Sequence, residues 1–246
     1  MKNLIKLILQ QILGFNNYLF VFSIFIINKL KWDKNEKDFL HFLSIIPKDG
    51  IILDIGANIG IMTVHLARRF KQSIIFAFEP IPDNIRALKR IIRFYKLENV
   101  KVCECALGDK TGTIQMVLPV IRTVKMQGLS HVVHESIKEN KNGEVFSVPI
   151  YKLDDVVELN LYEKKINAIK IDVENFEYYA IKGGEEIIKK NKPFIYCELW
   201  DNENRYKTIE YLTGLNYAVK VLIKNVLMDY DKNVHLKQNF FFIPKN

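Results

Sequence analysis

Cysteine, glycine and proline are scarce in this 246-residue chain, which has 3, 11 and 7 of them. Cys103, Cys105 and Cys197 are odd in number and lack metal-ligand spacing, so neither a disulfide framework nor a zinc site is predicted. The small glycine and proline content and the 12% of aromatic residues exclude a disordered chain, and no internal repeat is present. With 49% hydrophobic residues, the chain is expected to form one large core in a reducing, cytoplasmic compartment.

Acidic residues are missing from the segment 1–32, which carries lysines at positions 2, 6, 29 and 31. Its apolar run from Tyr18 to Ile27 is shorter than the roughly 20 residues of a membrane-spanning helix, and Asn16 and Asn17 are expected to end it. No small-residue cleavage site follows, which argues against a removable signal peptide. Two interpretations stay open: a helix in the membrane interface with its lysines near lipid headgroups, or helices packed on the domain or a partner.

Residues 33–246 are expected to form a single α/β domain. A helix with one buried face is predicted over 33–46, and the alternation of strands and helices after it is typical of a parallel sheet with helices on both faces. The predicted strands are 51–55, 73–79, 100–105, 166–173, 193–199, 216–223 and 239–244, and the later helices are 59–70, 82–95, 176–190 and 203–213. Between about 110 and 160, two extended segments flank a polar, turn-rich one. We expect this insertion to shape the substrate site, because loops on a rigid sheet usually carry specificity.

A glycine-containing turn follows the first predicted strand, in the stretch "LDIGANIG". The strand ends in Asp54, the chain turns through Gly56 and Asn58, and Gly60 opens the next helix. Small residues let the backbone approach a ligand, and a helix N-terminus offers unpaired N–H groups. The next strand ends in Glu79, where an acid can accept hydrogen bonds from both hydroxyls of a ribose. Together these strand ends predict a nucleoside-like ligand.

The same turn distinguishes between nucleoside cofactors. It departs from the dinucleotide fingerprint G-x-G-x-x-G, because Asn58 stands where that pattern has its second glycine. A nicotinamide-dependent oxidoreductase therefore fits the fold but not the turn. S-adenosylmethionine carries an ammonium, a sulfonium and a ribose but no phosphate, and it suits the acids Asp54 and Glu79.

Charged side chains interrupt the predicted strand "AIKIDVEN". Lys170, Asp172 and Glu174 alternate with apolar residues, whereas a central parallel strand covered on both faces should be nearly all apolar. Charges at the carboxyl end of such a strand predict a ligand site, and the next strand ends similarly in Glu198. The alternative is a strand end already in solvent, with Lys170 paired to an acid.

A sugar hydroxyl is a poor nucleophile until its proton starts to leave, so a methyl transfer to it benefits from a general base. Asp172 and Glu174 are the first candidates, followed by His131 and His134 of the insertion, for which a place in a surface loop is the alternative. The two acids could instead bind a divalent metal, but their spacing does not require one, and no metal site is predicted.

The net charge of +8 raises the question of an acidic partner. The predicted helix after Glu79 places basic residues at helical spacing, at Arg86, Lys89, Arg90, Arg93 and Lys96. They could contact phosphates of RNA or of a nucleotide-linked sugar, or form the solvated face of an amphipathic helix. We favour the solvated face, because no RNA-binding signature accompanies the stripe, and a nucleic-acid partner is not expected.

Five stretches of the chain carry a family resemblance: "DIGANIG" (54–60), "FEPIPDNIRAL" (78–88), "ALGD" (106–109), "LDD" (153–155) and "IKIDVENFEYYAIKGG" (169–184). Together they resemble the FkbM family of S-adenosylmethionine-dependent methyltransferases, from about residue 48 to the C-terminus. The resemblance implies a Rossmann-like class I fold, with a mostly parallel seven-stranded sheet and an antiparallel last strand. It also implies O-methylation as the usual activity, often of a sugar or natural-product hydroxyl.

The resemblance also implies roles for single residues. The methionine end of the cofactor would be lined by Asp54, Gly56, Asn58 and Gly60. Glu79 would hold the ribose, and Ala106 would lie near the adenine. The chain departs from the family at Asn175, where a glycine usually follows "DVE"; asparagine tolerates left-handed backbone angles better than most residues.

The sequence thus predicts a cytoplasmic methyltransferase that uses S-adenosylmethionine to methylate a hydroxyl of a glycan, lipid-linked sugar or secondary metabolite. Residues 1–32 are its candidate membrane contact. Two alternatives stay open: an RNA methyltransferase, and a non-catalytic module that binds S-adenosylmethionine.

Overall fold

The computed structural model describes residues 2–121, 123–134, 137 and 142–245. The helices are α1 (Lys2–Leu13), α2 (Phe15–Lys29), α3 (Lys37–Ile45), α4 (Ile61–Arg69), α5 (Pro82–Phe94), α6 (Glu177–Lys182), α7 (Glu185–Asn191) and α8 (Glu203–Gly214). The strands are β1 (Ile51–Ile55), β2 (Ile74–Phe78), β3 (Val100–Cys103), β4 (Ala106–Leu107), β5 (Gly112–Ile121), β6 (Val124–Lys125), β7 (His131–Val132), β8 (Gly143–Tyr151), β9 (Ile166–Ile171), β10 (Phe194–Glu198), β11 (Tyr217–Ile223), β12 (Val226–Asp229) and β13 (Asn239–Pro244).

Eight strands form the main sheet, in the order β12-β11-β13-β10-β9-β1-β2-β3. The pairs from β3 to β10 are parallel, and β13 is antiparallel to both β10 and β11. This arrangement confirms the α/β class and the antiparallel last strand. The sheet has eight strands rather than seven, because β12 forms a hairpin with β11. The turn between them is made by Lys224 and Asn225, with φ of 49° and 67°.

The central strand β1 is buried along its whole length. Ile51, Leu53 and Ile55 belong to a core on one face of the sheet, shared with residues of α6, α7 and α8. Ile52 faces the opposite core, which is built from residues of α3 and α4. Helices on both faces therefore cover the parallel strands, as the apolar runs require.

The predicted helix 176–190 is interrupted at Gly183 and Gly184, so that α6 and α7 are separate. A Cβ added at Gly183 would lie 1.9 Å from the carbonyl oxygen of Gly108, and one at Gly184 would lie 2.7 Å from the Leu153 side chain. The two glycines therefore allow this connection to pack against the segments that contain Gly108 and Leu153.

A second, five-stranded sheet lies in the segment predicted as an insertion. β8 is antiparallel to β5 and parallel to β4, while β6 and β7 pair with β5. Met116, Val132 and Ile150 of this sheet pack in one cluster with Phe176, which follows β9. The small sheet is thus held against the carboxyl ends of the main strands. Residues 135–136 and 138–141 of the predicted polar segment lie outside the described residues.

The N-terminal helices pack on the domain. Tyr18 and Leu19 of α2 contact the start of α4 and the middle of α5, and Ile27 contacts both helices further along. Helix α2 runs through Asn16 and Asn17, and the break between α1 and α2 falls at Gly14, with φ of 70°. Among the described residues, no helix is long and apolar enough to cross a membrane.

Candidate cofactor and acceptor site

The turn after β1 is fixed from two sides. The amides of Gly56 and Ala57 donate to the carbonyl of Phe78 at the end of β2, at 3.1 and 2.9 Å. Gly56 has φ of 78°, and a Cβ there would lie 1.9 Å from the carbonyl oxygen of Asp172. Gly60 has φ of 85°, and its Cβ would meet Leu88 of α5 at 2.8 Å. The close approach that demands glycine is therefore to neighbouring segments of the chain itself.

Glu79 lies at the centre of this turn. Its Oε2 accepts a hydrogen bond from the amide of Asn58 at 2.9 Å, and its Oε1 accepts from the amide of Ile81 at 2.9 Å and from Asn84 Nδ2 at 3.2 Å. Burial raises the pKa of Glu79 to about 7, although these three donors act in the opposite direction. The carboxyl group is thereby held in one orientation, and one of its roughly four lone-pair sites, on Oε2, is left for a ligand.

A small cavity opens beside Glu79, between the turn and the second sheet. Its lining combines apolar side chains with polar groups: Gly56, Asn58, Glu79, Ala106, Met116, Gln127, Val132, Asp172, Glu174 and Phe176. Apolar walls suit a nucleobase and the carboxylate of Glu79 suits a ribose hydroxyl, so the chemistry of these residues fits the nucleoside part of S-adenosylmethionine, although the cavity's volume of about 70 Å³ is below that of usual ligand sites. The structure brings together six predicted residues here: Gly56, Asn58, Glu79, Ala106, Asp172 and Glu174.

Asp54 has a different position from the one expected. Its carboxylate is fully buried, accepts a hydrogen bond from Thr63 Oγ1 at 2.6 Å and lies 3.4 Å from Lys170 Nζ. Lys170 also donates to the carbonyl of Gly56 at 2.9 Å. Burial lowers the pKa of Lys170, but the charges of Asp54 and Asp172 outweigh it and raise that pKa. Asp54 therefore stabilises the turn through Thr63 and Lys170 and lines neither cavity described here. Gly60, the N-cap of α4, also lies outside both linings.

A larger cavity of about 870 Å³ lies beyond the carboxyl ends of β9 and β10. Five acids line it, at Glu36, Asp38, Asp172, Glu198 and Asp201. Five cations and the Tyr196 side chain share the lining, the cations being Lys34, Lys37, Arg205, Lys224 and Lys237. Asp172 lines the small cavity as well. The two spaces therefore share one lining residue, Asp172.

Glu198 is half-buried at the end of β10, in the larger cavity. Burial and the nearby charge of Asp172 raise its pKa to about 7, and Lys170 partly offsets them. Glu36, from the segment before α3, also has a raised pKa because of burial and the charges of Asp33 and Asp172. The Glu198 carboxyl group, with a pKa near neutral, is therefore suited to accept a proton.

The loop after β9 has an unusual backbone. Glu174 and Asn175 have φ of 52° and 75°, so asparagine does occupy the left-handed conformation expected at this position. Asn175 Oδ1 accepts from Asn202 Nδ2 at 2.5 Å, and its carbonyl accepts from Asn204 Nδ2 at 2.8 Å. Glu177 Oε1 accepts from the amide of Val173 at 2.9 Å, and burial raises the pKa of Glu177 to about 8. This network fixes the loop that carries Asp172.

Neither histidine of the insertion is among the residues that line the two cavities. His131 is buried in β7 with Nδ1 2.9 Å from the carbonyl of Leu129, and it lines neither cavity. The assignment of His131 as a candidate base stays a prediction, and neither cavity lining supports it. His134 lies against the rings of Phe176 and Tyr179, with centroid distances of 5.6 and 4.8 Å. Within the part of the chain that the structure describes, no group of three or more His, Cys, Asp or Glu could hold a metal ion.

Most residues that line the larger cavity were not singled out from the sequence, among them Glu36 and Tyr196. Glu36 comes from the N-terminal side of the domain, and no motif connects it with the strand ends. Tyr196 lies in β10 two residues before Glu198, where it reads as an ordinary core aromatic. Alternation along "FIYCE" places Tyr196 and Glu198 on one face, which was the available signal.

The basic stripe of α5 is largely engaged within the chain. Arg86 pairs with Asp83, and Lys89 pairs with Glu104. The Arg90 guanidinium lies 4.2 Å from the centroid of the Phe20 ring in α2 and donates to Asn17 Oδ1 at 3.0 Å. Three of the five basic residues of the stripe are thus used in intramolecular contacts.

Known proteins resemble the chain in sequence and fold. The sequence profile of the methyltransferase FkbM domain matches residues 54–219. Methyltransferase 1 of Beauveria bassiana is 25% identical over 186 residues, which are 71% of this chain and 75% of that protein. Methyltransferase sdnD of Sordaria araneosa is 26% identical over 196 residues, with 71% and 76% covered.

Among solved structures, methyltransferase FkbM from Methylobacillus flagellatus KT matches with a TM-score of 0.54 at 16% identity. The match covers 81% of this chain but only 45% of that one, so this chain spans less than half of that structure. The profile match runs from the last residues of β1 into β11 and includes Glu79, Asp172 and Glu198. The chain therefore belongs to the FkbM family of methyltransferases, and its methyl donor is S-adenosylmethionine.

Proposed function

We propose that the chain methylates a hydroxyl group of a polar acceptor bound in the larger cavity, the acceptor being a glycan, a lipid-linked sugar or a hydroxylated secondary metabolite. The observation that supports this proposal is the position of Asp172, which lines both cavities. A site for the nucleoside cofactor and a space for an acceptor thus adjoin at one residue. When bound, S-adenosylmethionine supplies an electrophilic methyl group on its sulfonium.

The lining of the larger cavity favours a hydroxyl-rich acceptor. Its acids and cations are equal in number, five of each, so it offers both hydrogen-bond donors and acceptors without a strong net charge. A volume of about 870 Å³ is in the range of ligand sites for small molecules. An apolar or highly anionic acceptor would leave many of these groups unpaired, which costs binding free energy.

Glu198 is the proposed general base. Because its pKa is about 7, a large fraction of its carboxyl group is ionised at neutral pH and can take the acceptor's hydroxyl proton. Asp172 favours the protonated form of Glu198 by its negative charge and lies between cofactor and acceptor. Glu79 orients the nucleoside, and the loop network at Asn175 holds Asp172 in place, which aligns the reactants.

Substitution of Asp172 should distinguish its role from that of Glu198. Asp172→Asn is expected to weaken cofactor binding as well as turnover, because Asp172 lines both cavities. Glu198→Gln is expected to lower turnover alone. Calorimetric titration with S-adenosylmethionine separates the two effects.

Labelled S-adenosylmethionine and a fractionated cell extract provide the direct test. We expect the protein to transfer the label to glycan, lipid or small-molecule fractions, and the Glu198→Gln protein to transfer far less. Arg93→Ala, an exposed change on the α5 stripe, should transfer as much as the unmodified protein. Label in RNA that disappears with Arg93→Ala would contradict the proposal, and so would cofactor binding without transfer to any fraction.

A further inference from the structure

Helix α1 leaves an apolar face uncovered. Helical spacing places four apolar residues on this face: Ile5, Ile8, Leu9 and Ile12. Each of these residues is at least 40% exposed. Ile12 is 74% exposed, although α1 itself is anchored by Gln10, which exchanges hydrogen bonds with the backbone of Lys125. A contiguous exposed apolar face is uncommon on a domain without a binding partner.

Helix α2 and the turn that follows it also expose a ridge of residues. Val21, Phe25, Asn28 and Trp32 are spaced by four, three and four residues, which places them on one face of α2 and the turn that follows it. The buried residues of α2 include Leu19, Ser23 and Ile27 and occupy other positions of the helix. Phe25 is 61% exposed and Trp32 85%. Exposed aromatic residues of this kind are typical of the membrane–water interface.

A basic groove adjoins the end of that ridge. Asn28 and Trp32 line it together with Lys31, Arg68 and Arg69, in a space of about 730 Å³. None of the residues that form this lining is acidic. The segment 1–32 also contains no acid, so the apolar surface and the groove share an excess of positive charge.

The combination of apolar and cationic surface identifies an occupant. Helices of 12 and 15 residues are too short to span a bilayer but long enough to lie in its interface. Cations beside exposed aromatic residues complement the phosphates and acyl chains of anionic lipids. We propose that the exposed residues of α1 and α2, Trp32 and the basic groove form a docking surface for an anionic lipid bilayer. This surface is separate from both cavities, so the inference does not depend on the proposed reaction.

Vesicle binding by the full chain tests the proposal. Flotation with phosphatidylcholine vesicles is compared with flotation on vesicles that also contain phosphatidylglycerol, at low and high salt. We expect strong binding only to the anionic vesicles, weakened by salt. Phe25→Ser with Trp32→Ser, and separately Lys31→Glu with Arg69→Glu, should each lower the partition coefficient by roughly tenfold or more, because the first pair removes apolar surface and the second reverses charges that attract anionic headgroups.

Matched variants outside α1, α2 and the basic groove serve as controls. Val157 and Leu161 are 66% and 73% exposed, and Lys190 and Lys232 are exposed cations. Val157→Ser with Leu161→Ser, and Lys190→Glu with Lys232→Glu, should leave vesicle binding unchanged. Equal loss in these controls would overturn the proposal, as would the absence of binding to anionic vesicles. It would also be overturned if Phe25→Ser with Trp32→Ser turned an oligomer into a monomer and left vesicle binding intact, since a second copy would then be the occupant.

Discussion

At the scale of single residues, the protonation of Glu198 should govern the pH dependence of the reaction. Its pKa is raised to about 7, and a base must be deprotonated to act. We expect kcat/KM to rise with pH through about 7, and Glu198→Gln to lower kcat roughly 100-fold or more and remove this ionisation. Glu210→Gln, on the exposed side of α8, is the matched control. An unchanged pH profile in Glu198→Gln would assign the proton to another group.

Substitution of Gly56 and of Gly214 by alanine should have different effects on the free energy of unfolding. Gly56→Ala should destabilise the fold by roughly 3 kcal/mol or more, because the new Cβ would meet the Asp172 carbonyl and the φ is positive. Gly214 is at the end of α8 and has no atom within 4 Å of an added Cβ. Gly214→Ala should therefore be neutral or slightly stabilising. Chemical denaturation measures both, and equal effects would refute the steric argument.

At the scale of elements, the pair of Lys170 and Asp54 joins β9, β1 and, through Thr63, α4. Lys170→Met leaves the Asp54 carboxylate buried without its cation, which should cost about 3 to 5 kcal/mol. The double variant Lys170→Met with Asp54→Asn should recover part of this loss, because no buried charge remains. Denaturant unfolding of the two single variants and the double variant gives the coupling energy. Strict additivity would mean that the two residues act independently.

Most helices and strands could be predicted from the sequence pattern, and the exceptions have physical reasons. Seven strands follow from apolar runs and their spacing, and β12 was missed because its type I′-like turn uses Lys224 and Asn225 instead of a glycine pair. The split between α6 and α7 depends on a contact with Gly108, which is distant in sequence. Motifs identified Glu79 and Asp172 because strand ends converge at one sheet edge. The direction of the Asp54 side chain and the position of Glu36 in the larger cavity depend on tertiary packing, which a local sequence pattern does not describe.

At the scale of the whole molecule, buried carboxyl groups should make stability depend on pH. The pKa values of Glu79, Glu177 and Glu198 are raised from 4.5 to about 7, 8 and 7. An acid whose folded pKa is raised stabilises the fold fully below its unfolded pKa, and this stability is lost as pH rises through the folded pKa. These groups should therefore lower the free energy of unfolding between about pH 5 and pH 8. His65 acts in the opposite direction, because burial lowers its pKa.

A comparison with Glu177→Gln isolates this effect from that of His65. Glutamine keeps the acceptor for the amide of Val173 but cannot ionise. We expect the variant to lose less stability than the unmodified protein on going from pH 5 to pH 8, by a few kcal/mol at most, since one pKa unit corresponds to about 1.4 kcal/mol. Parallel stability profiles of the two proteins without cofactor would contradict a raised pKa at Glu177.

The contact between Gly56 and the carbonyl of Asp172 has a dynamic consequence. The amide of Asp172 donates to Ile55, and the amides of Gly56 and Ala57 donate to Phe78, so β1, β2 and the loop after β9 are bonded together at this point. Lys170 adds a bond to the Gly56 carbonyl. In hydrogen exchange, these amides should open as one cooperative unit rather than separately. Cofactor binding at the turn should then slow hydrogen exchange at the Asp172 amide as well. The mobility of the acceptor side would in this way depend on whether the methyl donor is bound.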